Sequence, residues 1–501
     1  MKAPRLGVDV GASLNLVGAL LLYLSLAALF PTTLAIAYSE PVWPFLAAGG
    51  IAAGVGWGLG RLTPDKERVG TREGFLVVSL IWVIAAGFGA LPYVFSNIEP
   101  LDHPVNAYFE AMSGFTTTGA SVVAVPEDLP RSLLMWRQFT QWLGGMGIIV
   151  LALAVLPRLR VGGRQLFESE LPGPELEPLS ASIRDTARRL WLLYIALTAA
   201  LALTLSVFAW SGIDASMSVF DAVAHALTTM PTGGFGTRGN SLAAFGAASQ
   251  WVVIFFMLLA GANFALLYAA FVRMNPRPLA RDDELRLYLL LLAGGVGILL
   301  AEVLAESILT GEQAVRSSVF EAVSMMTTTG FAVADYTGWT ALTAMTLVAL
   351  MFVGGCAGST AGSVKVVRHL FIGRIIQREV RQTIHPEVVL PVRFNRAVID
   401  EPILRAVITF TLLYVGLFIA GAAGLAIESA RLGEGLTPFE AIAAAATTLG
   451  NVGPAFGFAG PFGSFEPFSD ASKAIMILLM WAGRLEIIPV AVLLTRSYWR
   501  T

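Results

Sequence analysis

The sequence predicts an all-α membrane protein with four helix–pore-loop–helix repeats around a pseudo-fourfold pore, plus two N-terminal transmembrane helices. Three observations carry that expectation. Hydrophobic residues make up 56% of the 501 and charged residues only 14%, with a mean hydropathy of +0.71; soluble domains are about a quarter charged. Apolar stretches of bilayer-spanning length follow one another along the whole chain. Between them a short motif recurs four times: an acidic–aromatic pair, an apolar run, then a loop rich in threonine and glycine.

Taken in order, the first stretches are 13–38 and 42–60, which carry no such loop and form an N-terminal extension over 1–61. The first is too long for a signal peptide, lacks a small-residue cleavage site, and is followed at once by the second. Four repeats then occupy 62–161, 162–275, 276–396 and 397–501. Their paired spans read at 74–97 and 133–156, 188–211 and 248–272, 286–309 and 340–364, and 402–427 and 473–495. Short helices at roughly 105–115, 217–229, 317–327 and 437–448 precede the loops. The stretch 162–180, rich in Gly, Pro and Glu, reads as irregular.

The motif copies begin at Phe109-Glu110, Phe220-Asp221, Phe320-Glu321 and Phe439-Glu440. From acid to loop glycine is nine residues in the first and third copies (Glu110 to Gly119, Glu321 to Gly330) and thirteen in the second and fourth (Asp221 to Gly234, Glu440 to Gly453). The difference is close to one helical turn, so an insertion of that length returns the loop to the same face. The second helices repeat as well, with small residues at Gly144-Gly145, Ala260-Gly261, Gly354-Gly355 and Ala482-Gly483, which suit close helix packing in all but the third unit.

Threonine and glycine in these loops suit one task. A dehydrated monovalent cation needs several oxygen ligands of modest field strength, which backbone carbonyls supply. Turning consecutive carbonyls one way demands backbone angles that glycine adopts at little cost. Irregular backbone at membrane depth survives only where protein buries it or water lines it. The short helices would aim their negative C-terminal ends at the axis. The stretch Gly354-Gly355-Cys356-Ala357-Gly358-Ser359-Thr360-Ala361-Gly362-Ser363 is too rich in small residues for a regular lipid-facing helix, so it should break its span and form a flexible plug below the loops. Arg484 lies inside the last span, where a guanidinium must face a polar interior; it is expected to add an electrostatic barrier, with pairing to Glu486 as the structural reading. Glu302 is expected to hydrogen-bond between helices and His225 to serve packing.

Positive charge fills alternate loops, at Arg61–Arg72, Arg158–Arg189, Arg273–Arg286 and Lys365–Arg396, which the positive-inside rule assigns to the cytoplasm. The motif loops then face outside and hold acids such as Glu99, Asp102, Glu127, Asp128, Asp214, Glu312, Glu434, Glu466 and Asp470. These suggest either an acidic vestibule or scattered surface charge. The basic 365–398 loop could dock a regulator or face anionic lipid. Several classes are disfavoured. One cysteine excludes an internal disulfide, and four histidines without a Cys/His cluster give no zinc signal. The glycine-rich 354–363 stretch lacks the ending of a phosphate-binding loop. No nucleophile–base pairing suggests an enzyme.

Thr-Thr-Thr-Gly-Ala, Thr-Gly-Gly-Phe, Thr-Thr-Thr-Gly-Phe and Asn-Val-Gly-Pro, together with the 354–363 stretch and Gly-Arg-Leu-Glu-Ile-Ile-Pro at 483–489, resemble the Trk/Ktr/HKT superfamily of potassium transporters. The two extra N-terminal spans place the chain nearer the bacterial TrkH branch than KtrB. The resemblance implies a K⁺ selectivity filter at Thr117, Thr118 and Gly119; Thr232, Gly233 and Gly234; Thr328, Thr329 and Gly330; and Asn451, Val452 and Gly453. It implies a gate at Gly354, Gly355, Cys356, Ala357, Gly358, Ser359, Thr360, Ala361, Gly362 and Ser363 with Arg484. It also implies a homodimer with one pore per subunit in the bacterial inner membrane. No cofactor is expected in the chain itself; K⁺ is the transported ion, and ATP or NAD is expected on a cytosolic TrkA-like nucleotide-binding regulatory subunit. Glycine in all four loops resembles the potassium-selective members; Gly450 departs from the pattern, where a polar residue is expected. Symport with H⁺ or Na⁺ is the alternative to passive conduction. It is disfavoured because all four repeats share one topology and the filter segments carry no acid.

Overall fold

Long apolar runs give long helices, and the computed structural model describes them over residues 8–62, 70–154, 183–433 and 435–500. Lys66, Arg68, Arg158, Arg160, Arg164, Glu434 and the 162–180 stretch lie outside the described residues. The N-terminal extension is α1 (Val10–Ala27), which runs into α2 (Leu29–Ala37), and α3 (Trp43–Leu62). Asp9 caps α1 by accepting from the Ala12 amide at 3.0 Å. Helices α1 and α3 pack backbone to backbone through Gly18 and Gly56, where a Cβ on either would lie 2.7 Å from the other's carbonyl oxygen.

Each repeat then has a long outer helix, a short re-entrant helix and a second long element. They are α4 (Thr71–Ser96), α5 (Pro104–Phe115) and α6 (Arg131–Ala154); then α7 (Ile183–Ser211), α8 (Val219–Thr229), α9 (Ala247–Ala260) and α10 (Phe264–Phe271). The third repeat holds α11 (Asp283–Ala305), α12 (Gly311–Met326), α13 (Ala341–Val353) and α14 (Val366–Ile384). The fourth holds α15 (Glu401–Leu432), α16 (Pro438–Gly450), α17 (Asp470–Arg484) and α18 (Ile488–Leu493). The short helices start where their sequences say they should. Proline opens α5 and α16 at the position whose N–H has no intrahelical partner. Capping boxes Ser218/Asp221 and Thr437/Glu440 open α8 and α16.

Two spans expected to be continuous are broken. The 248–272 stretch bends by 109° between α9 and α10, where Gly261 presses on Tyr288 and Thr327 and Asn263 caps α10 through the Ala265 amide at 2.8 Å. The 473–495 stretch breaks after Arg484, with Glu486 and the β-branched Ile487 both in the left-handed region (φ 58° and 60°). Breaks of a few residues barely change the mean hydropathy of a span, so only the third break, dense in glycine, was visible in sequence. A two-stranded ribbon, Arg393–Phe394 against Ala397–Val398, is the unanticipated strand element. Phe394 packs there with Phe371, Ile375 and Ile403.

Candidate functional site

The four threonine–glycine loops share one backbone form. Thr117 and Gly119, Thr232 and Gly234, Thr328 and Gly330, and Asn451 and Gly453 all have positive φ, with a negative-φ residue between each pair. In every copy the middle residue's amide reaches back five residues: Thr118 to Ser113 O, Gly233 to Thr228 O and Thr329 to Ser324 O at 2.8 Å, and Val452 to Thr447 O at 2.9 Å. The fourth loop, despite Gly450, keeps the register of the others.

These loops close on one another in cyclic order. A Cβ on Gly119 would lie 2.2 Å from Gly233 O, on Gly234 2.1 Å from Thr329 O, on Gly330 1.9 Å from Val452 O, and on Gly453 2.8 Å from Thr118 O. Each glycine therefore touches the middle carbonyl of the next repeat, and the fourth returns to the first. Side chains behind the ring fix it. Thr116 and Thr118 share a hydroxyl hydrogen bond at 2.8 Å, as do Thr327 and Thr329 at 2.7 Å. In the second loop glycine replaces that threonine, and Gln141 takes its space: Nε2 donates to Gly233 O at 2.6 Å and Oε1 accepts from Phe235 N at 3.1 Å. In the fourth, Asn451 Nδ2 donates to Thr118 Oγ1 at 2.9 Å and Met480 O at 3.0 Å.

The motif acids are not equivalent, which corrects the expectation of a one-turn insertion. The loops have equal geometry; it is the acid that sits one turn earlier in repeats 2 and 4. Asp221 and Glu440 are third residues of helix-opening capping boxes. Glu110 and Glu321 are fully buried one turn on, where they accept from Val122 N at 2.9 Å and Val333 N at 2.8 Å and so tie the descending chain to the short helix. Glu110 also pairs with buried Arg137 at 2.7 Å. His225 holds the matching position in repeat 2, with Nδ1 2.8 Å from Asp221 O, in keeping with a packing role. Glu302 accepts from Thr340 Oγ1 at 2.9 Å across two helices.

The mouth above the ring is lined by Gly119, Gly234, Gly330 and Pro454, with Arg137 and Arg238 and no acid among the lining residues. Three of the acids named from the sequence are engaged in local contacts off that lining. Asp214 is buried in a hydrogen-bonded turn, Glu312 pairs with Arg316, and Glu127 accepts from Gly239 N.

Below the ring, residues 354–363 cross the bundle as an irregular segment with Gly354, Gly358 and Ser363 at positive φ. It touches three repeats. Cys356 N donates to Gly261 O at 2.8 Å and Gly358 O accepts from Phe264 N at 3.1 Å, both at the α9–α10 break. Thr360 Oγ1 donates to Met230 O at 2.9 Å. Gly362 N donates to Thr328 Oγ1 at 2.8 Å, and a Cβ on Gly362 would lie 2.4 Å from Gly450 O. Arg484 is buried and donates through Nη1 to Thr360 O at 3.0 Å, while Nε and Nη2 have no partner among the described residues. It does not pair with Glu486, which binds Lys365 at 3.1 Å and Arg368 at 2.6 Å instead. Buried Glu284, which nothing in the sequence singled out, accepts from Ala357 N at 2.6 Å and Val367 N at 3.1 Å. It lies in the first turn of α11, where an acid suits the helix dipole and so attracts no notice.

Re-entrant helices closed into a ring inside a bundle of apolar spans define a multi-pass membrane transport protein. More particularly, the chain belongs to the TrkH family: the family model, described as a cation transport protein, matches residues 50–500. Among relatives, the Trk system potassium uptake protein TrkH of Halomonas elongata is 36% identical over 493 residues, covering 97% of this chain and 98% of that one. Its counterpart in Escherichia coli K12 is 36% identical over 443 residues, 87% of this chain and 88% of the relative. The crystal structure of the potassium transporter TrkH from Vibrio parahaemolyticus superposes with a TM-score of 0.87 at 31% identity, covering 98% of this chain and 100% of that one.

Proposed function

We propose that this chain is the membrane subunit of a bacterial potassium uptake system, a transporter and not an enzyme, with its loop ring as the selectivity filter. The observation that carries this is the closed ring of peptide groups at Thr117–Gly119, Thr232–Gly234, Thr328–Gly330 and Asn451–Gly453. Alternating backbone handedness turns successive carbonyls to one side, so they can replace a hydration shell. Gly233 O keeps a free lone pair beside its bond to Gln141. The segment 354–363 and Arg484 form the gate, since they lie under the ring and leave part of a guanidinium charge uncompensated. The "Trk system" in the relatives' names supports further components. On the resemblance, these are a second copy of the chain and a cytosolic TrkA-like subunit that binds ATP or NAD. The chain lies in the bacterial inner membrane with its filter loops outside; the arginine-rich loops at the opposite ends of the spans support this reading.

The test is ion selectivity. Gly119→Ser or Gly330→Ser should raise Na⁺ permeability relative to K⁺, because a Cβ there meets a carbonyl of the neighbouring repeat. Unchanged bi-ionic reversal potentials in bilayers holding folded variant protein count against the filter. Uptake of ⁸⁶Rb⁺ into liposomes without a proton or sodium gradient separates conduction from symport.

A further inference from the structure

The four repeats fill one buried position differently. Nine residues before the loop glycine stand Glu110, His225, Glu321 and Ala444, all buried. Glu110 is fully satisfied. Its Oε1 accepts from Arg137 Nε at 2.7 Å and Ser121 Oγ at 2.9 Å, and its Oε2 from Val122 N at 2.9 Å. Glu321 keeps only the backbone half of that arrangement. Its Oε1 accepts from Val333 N at 2.8 Å and Ala334 N at 3.2 Å, while Oε2 has no partner among the described residues. The missing cation has a sequence origin. Arg137 is the seventh residue of α6, and the seventh residues of α9, α13 and α17 are Val253, Leu347 and Met476, each buried.

No neighbouring element supplies that charge to Glu321. Helices α9 and α13, which pack on α12, carry no ionisable side chain. The outer half of α11 adds only acids, Glu302, which is bonded to Thr340, and Glu306. On α12 itself Arg316 is bonded to Glu312 and Gln250. The descending chain brings Asp335, bonded to Thr337, and Tyr336; α8 brings His225, whose ring packs on Phe331. An ionised carboxylate buried without a counter-charge is far costlier than an unpaired hydroxyl. Without an ion in the ring, Oε2 therefore carries a proton and Oε1 stays the acceptor of both amides.

A cation in the ring brings the opposite charge that favours the ionised form. Glu321 lies five residues before the end of α12, which runs straight into the third loop, so the separation is roughly 10 Å. At that distance and an effective dielectric of about 20, two unit charges shift an equilibrium on the order of tenfold. We propose, resting on the filter reading above, that K⁺ entering the ring displaces the proton of Glu321. The O–H bond at Oε2 breaks, its electron pair stays on the carboxylate, and the proton leaves to water at the mouth. K⁺ and the proton then compete, the reverse of a symport site, which must hold both at once. Glu110 takes no part, because Arg137 already balances its charge.

The experiment is calorimetric titration of K⁺ into the full chain in detergent, in buffers of high and low ionisation enthalpy, from about pH 5 to about pH 10. A tenfold coupling releases at most about half a proton per ion and tightens apparent K⁺ affinity about tenfold from the acid to the alkaline end. Glu321→Gln keeps an oxygen for Val333 N and Ala334 N. It should bind K⁺ with no proton release and with an affinity independent of pH, which a merely structural role would not produce. Where that variant does not fold, the wild-type proton count still decides. K⁺ binding with no proton released at any pH overturns the proposal. Release that persists in Glu321→Gln but is lost in His225→Gln overturns it in favour of the imidazole. Folded wild type that binds no K⁺ overturns the filter reading along with it.

Discussion

Glu284 joins both sides of the irregular 354–363 segment to the inner end of α11, so Glu284→Ala removes two acceptor bonds at once, to Ala357 N and Val367 N. Hydrogen bonds to a charged group contribute about 1.5–3 kcal/mol each. Two of them set an upper range near 6 kcal/mol, and water entering the emptied space returns part of it. At the low end, about 3 kcal/mol changes an equilibrium by roughly 150-fold. That is enough to turn a segment closed about 99% of the time into one open more than half the time. Purified Glu284→Ala in liposomes, with no partner present, should therefore take up ⁸⁶Rb⁺ far faster than wild type. Glu284→Gln keeps one oxygen acceptor and should fall between them. Wild-type uptake by a Glu284→Ala protein that elutes and melts as folded would refute the view that these bonds hold the pore shut.

Gln141→Leu removes the side chain that fixes the second loop and should cut K⁺ over Na⁺ selectivity about tenfold, roughly one hydrogen bond's worth; bi-ionic reversal potentials report it. Arg484→Ala should increase partner-free flux by loosening Thr360 and removing the buried charge, and a lower flux from folded protein would contradict the gate. Asp214 gives a pH test outside the membrane spans. Burial pushes its carboxyl up, but hydrogen bonds from Ser216, Ser249 and Gly246 outweigh that and hold it below the ordinary value. Its stabilisation is thus present above the unfolded pKa of about 3.9 and lost as pH falls through the lower folded value. Asp214→Asn should melt earlier than wild type at pH 7, and the gap should close in acid; a gap constant with pH would contradict this.

Composition and repetition made much of the fold legible. Apolar length marks a span because hydrocarbon offers backbone groups no partners, and positive φ at membrane depth favours glycine, so Gly119, Gly234, Gly330 and Gly453 could be found by eye. The breaks at Gly261–Asn263 and Glu486–Ile487 could not, since a few residues in a long apolar run leave its average unchanged. Nor could the partners of Arg484: its sequence neighbour Glu486 was the natural guess, yet that carboxylate turns to Lys365 and Arg368.

What the sequence determined by itself is local and periodic: which stretches cross the bilayer, where the short helices begin, and which residues can take left-handed backbone. What only the tertiary structure decided is the order in which the four loops touch, and which distant side chains brace them. Gln141 against Gly233, Asn451 against Thr118 and Glu284 against Ala357 join residues far apart in the chain. The physical reason is that a buried amide or carboxylate must find its partner in space, and nothing in local spacing says where that partner will be.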